Sequence, residues 1–431
     1  MSWRESLARL AYSEALRAGW PFYLARLWWR GRRESGYRAA LGERAGFYGD
    51  AASQGWIWVH AVSLGETRAA STLVDALRAR IPGMRLLLTH GTATGREAGA
   101  ALLRGGDRQA WLPFDTPGAV HRFLKHFRPR LGVLMETEVW PNLLHHAAKQ
   151  GVPVVLANAR LSEKSLRRGQ KLSLLLEPAA RSLHAGLAQT EDDAQRLRSM
   201  GTPRVQVCGN LKFDMQPAPE LLARGSAWRA AAHRPLVMAA ASREGEEAAL
   251  LRAWREAQAA GGAVAGARLL VVPRHPQRFD EVADEIRRAG YALSRRSAWG
   301  EAGPGGDALQ ADVWLGDSLG EMPAYYAAAD LALLGGSFEK LGGQNLIEAA
   351  ACGCPLLMGP HTFNFADAAE LSLQAGAALR VDGLPQAVAR AGELLADPRR
   401  LQAMAGAARG FGARHRGAAA RMADVLAGML G

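Results

Sequence analysis

Short apolar runs alternate with longer stretches of mixed polarity along most of the chain. The runs are nearly continuous in apolar residues, which is typical of parallel strands that are buried on both faces by helices. The pattern therefore predicts an α/β protein. The predicted strands are residues 56–61, 86–90, 131–136, 152–157, 183–189 and 205–208, followed by 236–241, 268–273, 313–315, 331–335 and 355–359.

The stretch 214–234 interrupts this alternation with Pro217, Pro219 and a polar helical interval. A chain of 431 residues exceeds the size at which one hydrophobic core usually stops growing. We therefore predict two doubly wound, Rossmann-like domains that face each other across a cleft. Their predicted bounds are 49–213 and 235–431, the second with C-terminal helices, with 214–234 as the interdomain linker and 1–48 as a separate helical segment.

The segment 1–48 is rich in aromatic and basic residues. Arg9, Glu14 and Arg17 interrupt any apolar stretch long enough for a cleavable signal or a spanning helix. Aromatic rings and arginines both favour the boundary of an anionic bilayer, so we predict a helix that lies on a membrane; packing on its own domain is the alternative. The residues concerned are Trp3, Trp20, Phe22, Tyr23, Leu27, Trp28 and Trp29, with Arg26, Arg30, Arg32 and Arg33.

The formal charge of +12 comes mainly from arginine and favours a partner that carries phosphate groups. No helix shows regularly interleaved base-reading residues, so nucleic acid is disfavoured. Cys208, Cys352 and Cys354 are too few for a disulfide framework, and Cys352-Gly353-Cys354 lacks the second ligand pair of a zinc site. We expect reduced thiols and no metal.

Ionisable residues follow the predicted strands of the first domain. Glu66 should begin a helix, where its carboxylate either accepts a proton from a substrate hydroxyl or merely caps the helix. Glu136 and Glu138 end another strand, and Lys212 lies in the segment Gly209-Asn210-Leu211-Lys212-Phe213-Asp214. Together they suit a cationic transition state and an anionic leaving group, or an interdomain salt bridge.

In the second domain, Gly342-Gly343-Gln344-Asn345 precedes a predicted helix that carries Glu348. Glycine amides at a helix start can bind an anion, and Glu348 can accept hydrogen bonds from ribose hydroxyls. A glycine-rich turn with a capping asparagine is the alternative. Arg274 and Gly320-Glu321-Met322 follow two other strands, where ligands of open α/β sheets bind.

Taken together, these segments resemble the Kdo (3-deoxy-D-manno-octulosonic acid) transferases of lipopolysaccharide assembly, which are inverting glycosyltransferases with the GT-B fold. Matching blocks cover all but the ends of the chain. They are VSLGE at 62–66, METEVWPN at 135–142, ANARLS at 157–162, GNLKFD at 209–214, EGEE at 244–247, VPRHPQRF at 272–279, GDSLGEM at 316–322, GGSF at 335–338 and MGPHTFNF at 358–365.

The resemblance implies transfer of Kdo from CMP-Kdo to the lipid A precursor, at the cytoplasmic face of the bacterial inner membrane. It implies Glu66 as general base and Glu136 with Lys212 as transition-state stabilisers, although Glu138 could exchange roles with Glu136. Anionic membrane lipids are a further expected partner. The implied CMP site consists of Pro273, Arg274, Gly320, Glu321, Met322, Asn345, Leu346, Ile347 and Glu348.

The donor's leaving group carries a single phosphate, so we expect no metal and no cofactor. The sequence departs from the pattern of this family at two places that concern the Kdo contacts. Ala241-Ser242-Arg243 stands where a Ser-Thr-His type of sequence is usual, and Gln344 stands where His is common. Two other functions fit the same fold. One is a GT-B transferase or epimerase that uses a UDP-sugar, and the other is a membrane scaffold without turnover.

Overall fold

The computed structural model describes residues 2–301 and 303–430. The chain forms two compact units: one runs up to Asp214 and includes the segment from Arg416 onward, and the other is Met215–His415. Each contains a parallel sheet of seven strands. The strands are β1 Trp56–His60, β2 Arg85–His90, β3 Arg108–Trp111, β4 Leu131–Met135, β5 Val154–Ala159, β6 Ala185–Ala188, β7 Val205–Val207, β8 Leu236–Ser242, β9 Arg268–Pro273, β10 Leu293–Arg295, β11 Val313–Leu315, β12 Leu331–Leu334, β13 Leu356–Met358 and β14 Ala378–Arg380.

Hydroxyl side chains start several helices just after a strand ends. Ser63, Thr92 and Thr190 each accept a backbone N–H from the first turn of the following helix, which satisfies a donor that the helix itself leaves unpaired. The helices are α1 Trp3–Arg30, α2 Leu41–Arg44, α3 Leu64–Arg80, α4 Ala93–Ala100, α5 Pro117–Phe127, α6 Pro141–Lys149, α7 Glu163–Lys171, α8 Ser173–Arg181, α9 Glu191–Ser199, α10 Pro219–Ala232, α11 Glu246–Ala259, α12 Phe279–Arg288, α13 Asp307–Gln310, α14 Met322–Ala328, α15 Leu346–Ala351, α16 Ala366–Gln374, α17 Leu384–Ala396, α18 Pro398–Arg414 and α19 Ala418–Gly428.

The first sheet has the strand order β3-β2-β1-β4-β5-β6-β7. Its direction of growth therefore reverses between β1 and β4, and such a reversal is where ligands of doubly wound sheets bind. Both faces are buried: Ile57 and Val59 belong to the core under α3, whereas Trp58 packs with Phe123 and Phe127 of α5 on the opposite face. The predicted doubly wound α/β architecture is confirmed for this unit.

The second sheet repeats this plan with the order β10-β11-β9-β8-β12-β13-β14, and it reverses between β8 and β12. The sequence pattern identified the central strands and missed β3, β10 and β14. All three lie at an edge of a sheet. These three strands carry polar residues such as Arg108, Ser294 and Arg380, so they lack the continuous apolar run that marks a strand covered on both faces.

The expected linker 214–234 is mostly a helix of the second unit. α10 packs closely on α14, and the reason is Gly225: a Cβ there would lie 2.1 Å from the carbonyl oxygen of Ala324. Trp228 on the same helix is almost fully buried. The prediction of a linker is therefore wrong over Pro219–Ala232, and the second unit begins at Met215.

The expectation that everything from 235 to 431 belongs to the second domain is also wrong. α19 packs on α3 in the first unit, where Met422 and Leu426 are fully buried in the core. The Asp214 carboxylate accepts the backbone N–H groups of Gly417 (2.5 Å) and Ala419 (2.6 Å), so it caps α19. Amphipathic periodicity shows that a helix has a buried face but not which core that face joins.

The segment predicted as a separate membrane helix is partly packed on the first unit. In α1, Trp20 and Tyr23 lie against Phe114, with ring centroids 5.0 and 4.7 Å away, and Leu27 is buried. These three residues bear out the packing alternative, so the expectation that the whole aromatic set faces a membrane is wrong for them.

Other aromatic residues of α1 remain on the surface. Trp3, Phe22 and Trp29 are 72%, 77% and 70% exposed, and Trp28 is half-exposed. Arg26, Arg30, Arg32 and Arg33 are exposed beside them. Among the helices of residues 2–301 and 303–430, none is both long and apolar enough to cross a membrane.

Candidate active site and nucleotide site

Glu66 lies in the first turn of α3, directly after β1. Its Oε2 accepts the backbone N–H of Val62 and its Oε1 accepts the hydroxyl of Ser63, both at 2.9 Å. Burial raises the pKa of Glu66, and the neighbouring Glu136 carboxylate adds to the rise, against the hydrogen bonds from Val62 and Ser63 and the charge of Lys212. The residue therefore contributes to the cap and also has the raised pKa that suits a general base.

Glu136 follows β4, across the reversal of the sheet from Glu66. Its backbone adopts a left-handed conformation (φ 58°), which is uncommon for a residue with a side chain and often occurs at functional sites. Lys212 Nζ lies 3.8 Å from Glu136 Oε1, and both side chains are 24% exposed. Both belong to the first unit, so the salt bridge considered from the sequence is not an interdomain contact.

Two asparagines fix the backbone that carries Lys212, and the sequence reasoning assigned no role to either. Asn158, buried in β5, accepts the N–H of Leu211 at 3.0 Å. Asn210 accepts the N–H of Lys212 at 2.9 Å. A polar amide within an apolar strand needs a buried hydrogen-bond partner. The asparagine in the segment ANARLS could therefore have indicated from the sequence that another backbone segment is held there.

Glu138 completes an acidic cluster with Glu66 and Glu136. Burial raises the pKa of Glu138 to about 7, and repulsion from Glu66 and Glu136 contributes. Carboxylates that share a site raise one another's pKa, while a nearby lysine favours their ionised form. We refer to Glu66, Glu136, Glu138 and Lys212 as the acidic cluster. It combines Glu138, whose pKa is raised to about 7, and Glu66, whose pKa is also raised, with the ammonium group of Lys212.

In the second unit, the residues predicted for nucleotide binding follow β9, β11 and β12. Pro273 ends β9, and the exposed Arg274 comes next. Gly320 to Met322 follow β11, and Asn345 to Glu348 follow β12. Since β11 and β9 are neighbours and β8 separates β9 from β12, the fold brings all these segments to one edge of the sheet.

The side chains of three residues predicted for the nucleotide site are buried in the core or paired with other residues of the second unit. Leu346 and Ile347 are buried in the core, so only their backbone could face a ligand. The Glu321 carboxylate lies 2.6 Å from Arg224 and 2.9 Å from Arg296. Burial acts to raise the pKa of Glu321, but the hydrogen bonds from Arg296, Ser318 and Arg224 outweigh it and lower that pKa. Glu321 thus supports the turn at Gly320 rather than presenting a free carboxylate.

A buried glutamate that the sequence reasoning left without a role holds the glycine-rich loops. Glu246, at the start of α11, accepts the N–H of Gly336 at 2.8 Å from both carboxylate oxygens and the N–H of Phe338 at 3.3 Å. Gly342 and Gly343 both have positive φ, and the Gly343 N–H donates to Gly336 O at 2.8 Å. The loop after β12 is therefore fixed by backbone bonds. The acidic run EGEE at the start of a helix was the feature of the sequence that could have identified Glu246.

Glu348 lies in the first turn of α15 and is half-buried. Burial raises the pKa of Cys352 to about 12, and the Glu348 charge adds to the rise. That thiol stays protonated at neutral pH, consistent with three free cysteines. In the described part of the chain, no group of three or more His, Cys, Asp or Glu residues is placed to hold a metal ion.

Known proteins resemble this chain over its whole length. A family described as 3-deoxy-D-manno-octulosonic-acid transferase (kdotransferase) matches residues 39–215. The 3-deoxy-D-manno-octulosonic acid transferase of Bordetella pertussis is 49% identical over 435 residues, covering 99% of this chain and 100% of that protein. The chain belongs to the Kdo transferase family. The Haemophilus influenzae member is 35% identical, covering 90% of this chain and 91% of that protein.

Solved structures show which fold this Kdo transferase family member adopts. UDP-GlcNAc 2-epimerase from Neisseria meningitidis, solved with UDP-GlcNAc, superposes with a TM-score of 0.56. The match covers 88% of this chain and 99% of that one at 14% identity. Likeness at that identity concerns the fold alone. The chain has two parallel seven-stranded sheets and the GT-B fold.

Proposed function

We propose that this member of the Kdo transferase family takes Kdo from CMP-Kdo and transfers it, with inversion, to a hydroxyl of the lipid A precursor. The activity of the family is Kdo transfer in lipopolysaccharide assembly, and the chain is a glycosyltransferase of that kind. The acidic cluster at the reversal of the first sheet is the observation that carries the proposed mechanism.

In this mechanism Glu66 accepts the proton of the acceptor hydroxyl. The acceptor oxygen then bonds to the anomeric carbon of Kdo, while the bond from that carbon to the phosphate oxygen of CMP breaks. CMP leaves with the bonding electron pair. Glu136 stabilises the positive charge that develops on the sugar, and Lys212 offsets the negative charge of the leaving phosphate.

The second unit supplies groups suited to the nucleotide. Arg274 is exposed at the end of β9, where a guanidinium can bind a phosphate. The left-handed turn at Gly342 and Gly343 lets a ligand approach the backbone closely, and Glu348 offers an acceptor for ribose hydroxyls. A monophosphate leaving group has less charge to neutralise than a diphosphate, so we propose transfer without a metal or cofactor.

Product mass provides the direct test of this function. Purified protein is incubated with CMP-Kdo and the lipid A precursor, and the acceptor should gain the mass of one or more Kdo units. The main rival, an enzyme that uses a UDP-sugar, is tested by thermal shift, since a ligand that binds only the folded state raises the melting temperature. Stabilisation by UDP and not by CMP, with no mass gain, would favour the rival.

We place the protein at the cytoplasmic face of the inner membrane, held there by the exposed aromatic side of α1. Phe22, Trp28 and Trp29 lie beside exposed arginines, and both groups favour an anionic bilayer surface. Replacing these three aromatics with serine should release the protein from anionic vesicles in a sedimentation assay. The control is Phe363→Ser, which removes an exposed aromatic of the second unit. Equal sedimentation of the triple variant and the parent would contradict this location.

A further inference from the structure

The first unit contains a cavity of about 890 Å³ beside α1. Its walls come from α1, from the end of α7 with the start of α8, and from the loop after β4. We call it the α1 groove. It is lined mainly by apolar side chains, with Ala8, Ala11 and Ala15 on one wall and Leu172, Leu174 and Leu176 on the other.

The α1 groove reaches the acidic cluster. Glu138, whose pKa is raised partly by Glu66 and Glu136, is itself a lining residue, and so is the adjacent Thr137. Val139 and Trp140 continue the lining away from that end. A molecule in the groove therefore has one end beside the groups that carry the proposed chemistry. This continuity indicates that the occupant is part of a substrate.

The wall formed by α1 is fixed by buried polar contacts. Tyr12 lines the groove, and its hydroxyl donates a hydrogen bond to Asp115 Oδ2 at 3.0 Å. The backbone N–H of Asn142 donates to the same oxygen at 3.0 Å. The side-chain amide of Asn142 also donates to Ser13 Oγ at 3.0 Å. Alanines at helical spacing keep this wall thin. The cavity is thus part of the folded unit and not a gap left by a loose helix.

The chemistry of the lining selects among the parts of the substrates. CMP and Kdo are polar and charged, and burying them among alanine and leucine side chains without partners would cost free energy. A hydrocarbon chain gains from the same burial. The volume lies within the ~300–1,000 Å³ typical of small-molecule sites. The exposed Lys171 adds a positive charge to the lining, which suits an acceptor with phosphates.

We propose that the α1 groove binds a fatty acyl chain of the acceptor lipid. The proposal rests on the proposed function, because that function supplies an acylated acceptor. Binding of the chain places the sugar hydroxyl beside the acidic cluster and makes the enzyme prefer acylated acceptors over the bare phosphorylated disaccharide.

The first test fills the groove with Ala11→Phe, at an exposed helix position that tolerates a larger side chain. The matched control is Ala148→Phe, at an exposed position of α6 in the same unit and outside the lining. Transfer is measured to the acylated precursor in detergent and to the deacylated disaccharide phosphate. The ratio of kcat/KM for the acylated acceptor to kcat/KM for the deacylated one should fall about tenfold in Ala11→Phe. The bulk of one ring displaces about two methylenes of the acyl chain from the groove, and their lost burial corresponds to that factor. The ratio should stay constant in Ala148→Phe.

An unchanged ratio in Ala11→Phe would overturn the groove proposal while leaving Kdo transfer intact. Failure of the parent protein to transfer Kdo to either acceptor would instead overturn the proposed function. The two failures are therefore distinguishable in one experiment.

A second test does not depend on turnover. A long-chain fatty acid that carries a photoactivatable diazirine is irradiated with the protein, and the labelled peptides are identified by mass spectrometry. Labels should fall within 8–15 and 171–176 and should be lost in Ala11→Phe. Labelling that is confined to the exposed aromatics at 22–29, or that is unchanged in Ala11→Phe, would contradict an acyl site in the groove.

Discussion

The two sheets share one plan, yet they use acidic residues differently where that plan reverses. In the first unit Glu66 lies in the first turn of the helix after β1, and in the second unit Glu246 begins the helix after β8. Glu66 is half-buried beside Glu136 and Lys212. Glu246 is only 3% exposed, and backbone amides of the loop after β12 occupy both of its oxygens. Both carboxylates are hydrogen-bonded, but Glu66 is partly exposed and lies beside other ionisable side chains, whereas the buried Glu246 holds a loop.

This difference means that position in the fold is not enough to select a candidate catalytic carboxylate. Both glutamates lie at equivalent strand ends, and burial raises the pKa of each. What separates them is that Glu66 is partly exposed and has Lys212 and a second carboxylate beside it, whereas Glu246 is buried against a backbone loop. The first unit concentrates ionisable side chains at this edge, whereas the second presents glycine-rich backbone.

The largest expected effect is on Glu66→Gln, which keeps the shape and most hydrogen bonds but cannot accept the proton. Loss of a general base costs ~10²–10⁴-fold, so single-turnover transfer should fall by that factor while CMP affinity is retained. Thermal unfolding of the same preparation should change little. Near-normal transfer by the folded variant would exclude Glu66 as the base and direct attention to Glu138.

The next effect concerns nucleotide binding in the second unit. Glu348→Ala removes the proposed acceptor for ribose hydroxyls, and the loss of a hydrogen bond to a charged group should weaken CMP binding by ~1.5–3 kcal/mol. Calorimetric titration measures this directly. The control is Glu393→Ala, an exposed glutamate of the same unit that pairs with Arg390. Equal CMP affinity in the Glu348 variant and the parent would remove Glu348 from the nucleotide site.

The comparison also predicts an effect on stability at Glu246. Glu246→Ala leaves the buried amides of Gly336 and Phe338 without an acceptor, which should lower the free energy of unfolding by ~1–3 kcal/mol in denaturant titration. Glu244→Ala, at an exposed position of the same acidic run, is the matched control and should change stability little. Unaltered stability together with weaker CMP binding would make Glu246 a ligand-binding residue rather than one that holds the loop.

The smallest effect is the pH dependence caused by Glu138. Its pKa of about 7 in the folded state exceeds the ordinary 4.5, so between these values the folded protein binds more protons than the unfolded chain. The parent therefore loses stability as pH rises through this window. Glu138→Gln lacks this loss, and it should be stabilised relative to the parent at pH 8 more than at pH 4. Solvent screening at a half-buried site keeps the gain below ~1 kcal/mol.

Melting curves across pH provide the measurement for Glu138. The control is Glu163→Gln, since that residue is exposed on α7 and pairs with Arg167. A gain that does not vary with pH would show that the pKa of Glu138 is not raised in the folded state.

The central strands were predictable because burial on both faces leaves a continuous apolar run. Arg268–Pro273 and Val313–Leu315 have the predicted bounds, and most other central strands differ from the predicted bounds by one or two residues. The three edge strands that the pattern missed, β3, β10 and β14, lack that run. The sequence also could not predict which unit α19 packs in, because the apolar face of a helix fits any core of suitable shape.

For the candidate sites, the position after a strand was the informative signal. It led to Glu66, Glu136 and Lys212, which the fold places in one cluster, although their catalytic roles stay predictions. It could not show that Glu321 would pair with two arginines, or that the side chains of Leu346 and Ile347 would be buried. The partner of a charged group depends on residues distant in the chain, and here Arg224 comes from another helix.

The return of α19 to the first unit sets an order for folding during synthesis. The ribosome must make all of Met215–His415 before it makes the helix that covers α3. Until then the nascent first unit exposes the apolar surface that Met422 and Leu426 later bury, and such surfaces attract chaperones and promote aggregation. The second unit, which is continuous in sequence, can complete its own core first. The first unit therefore cannot complete its core until the whole of the second unit has been synthesised.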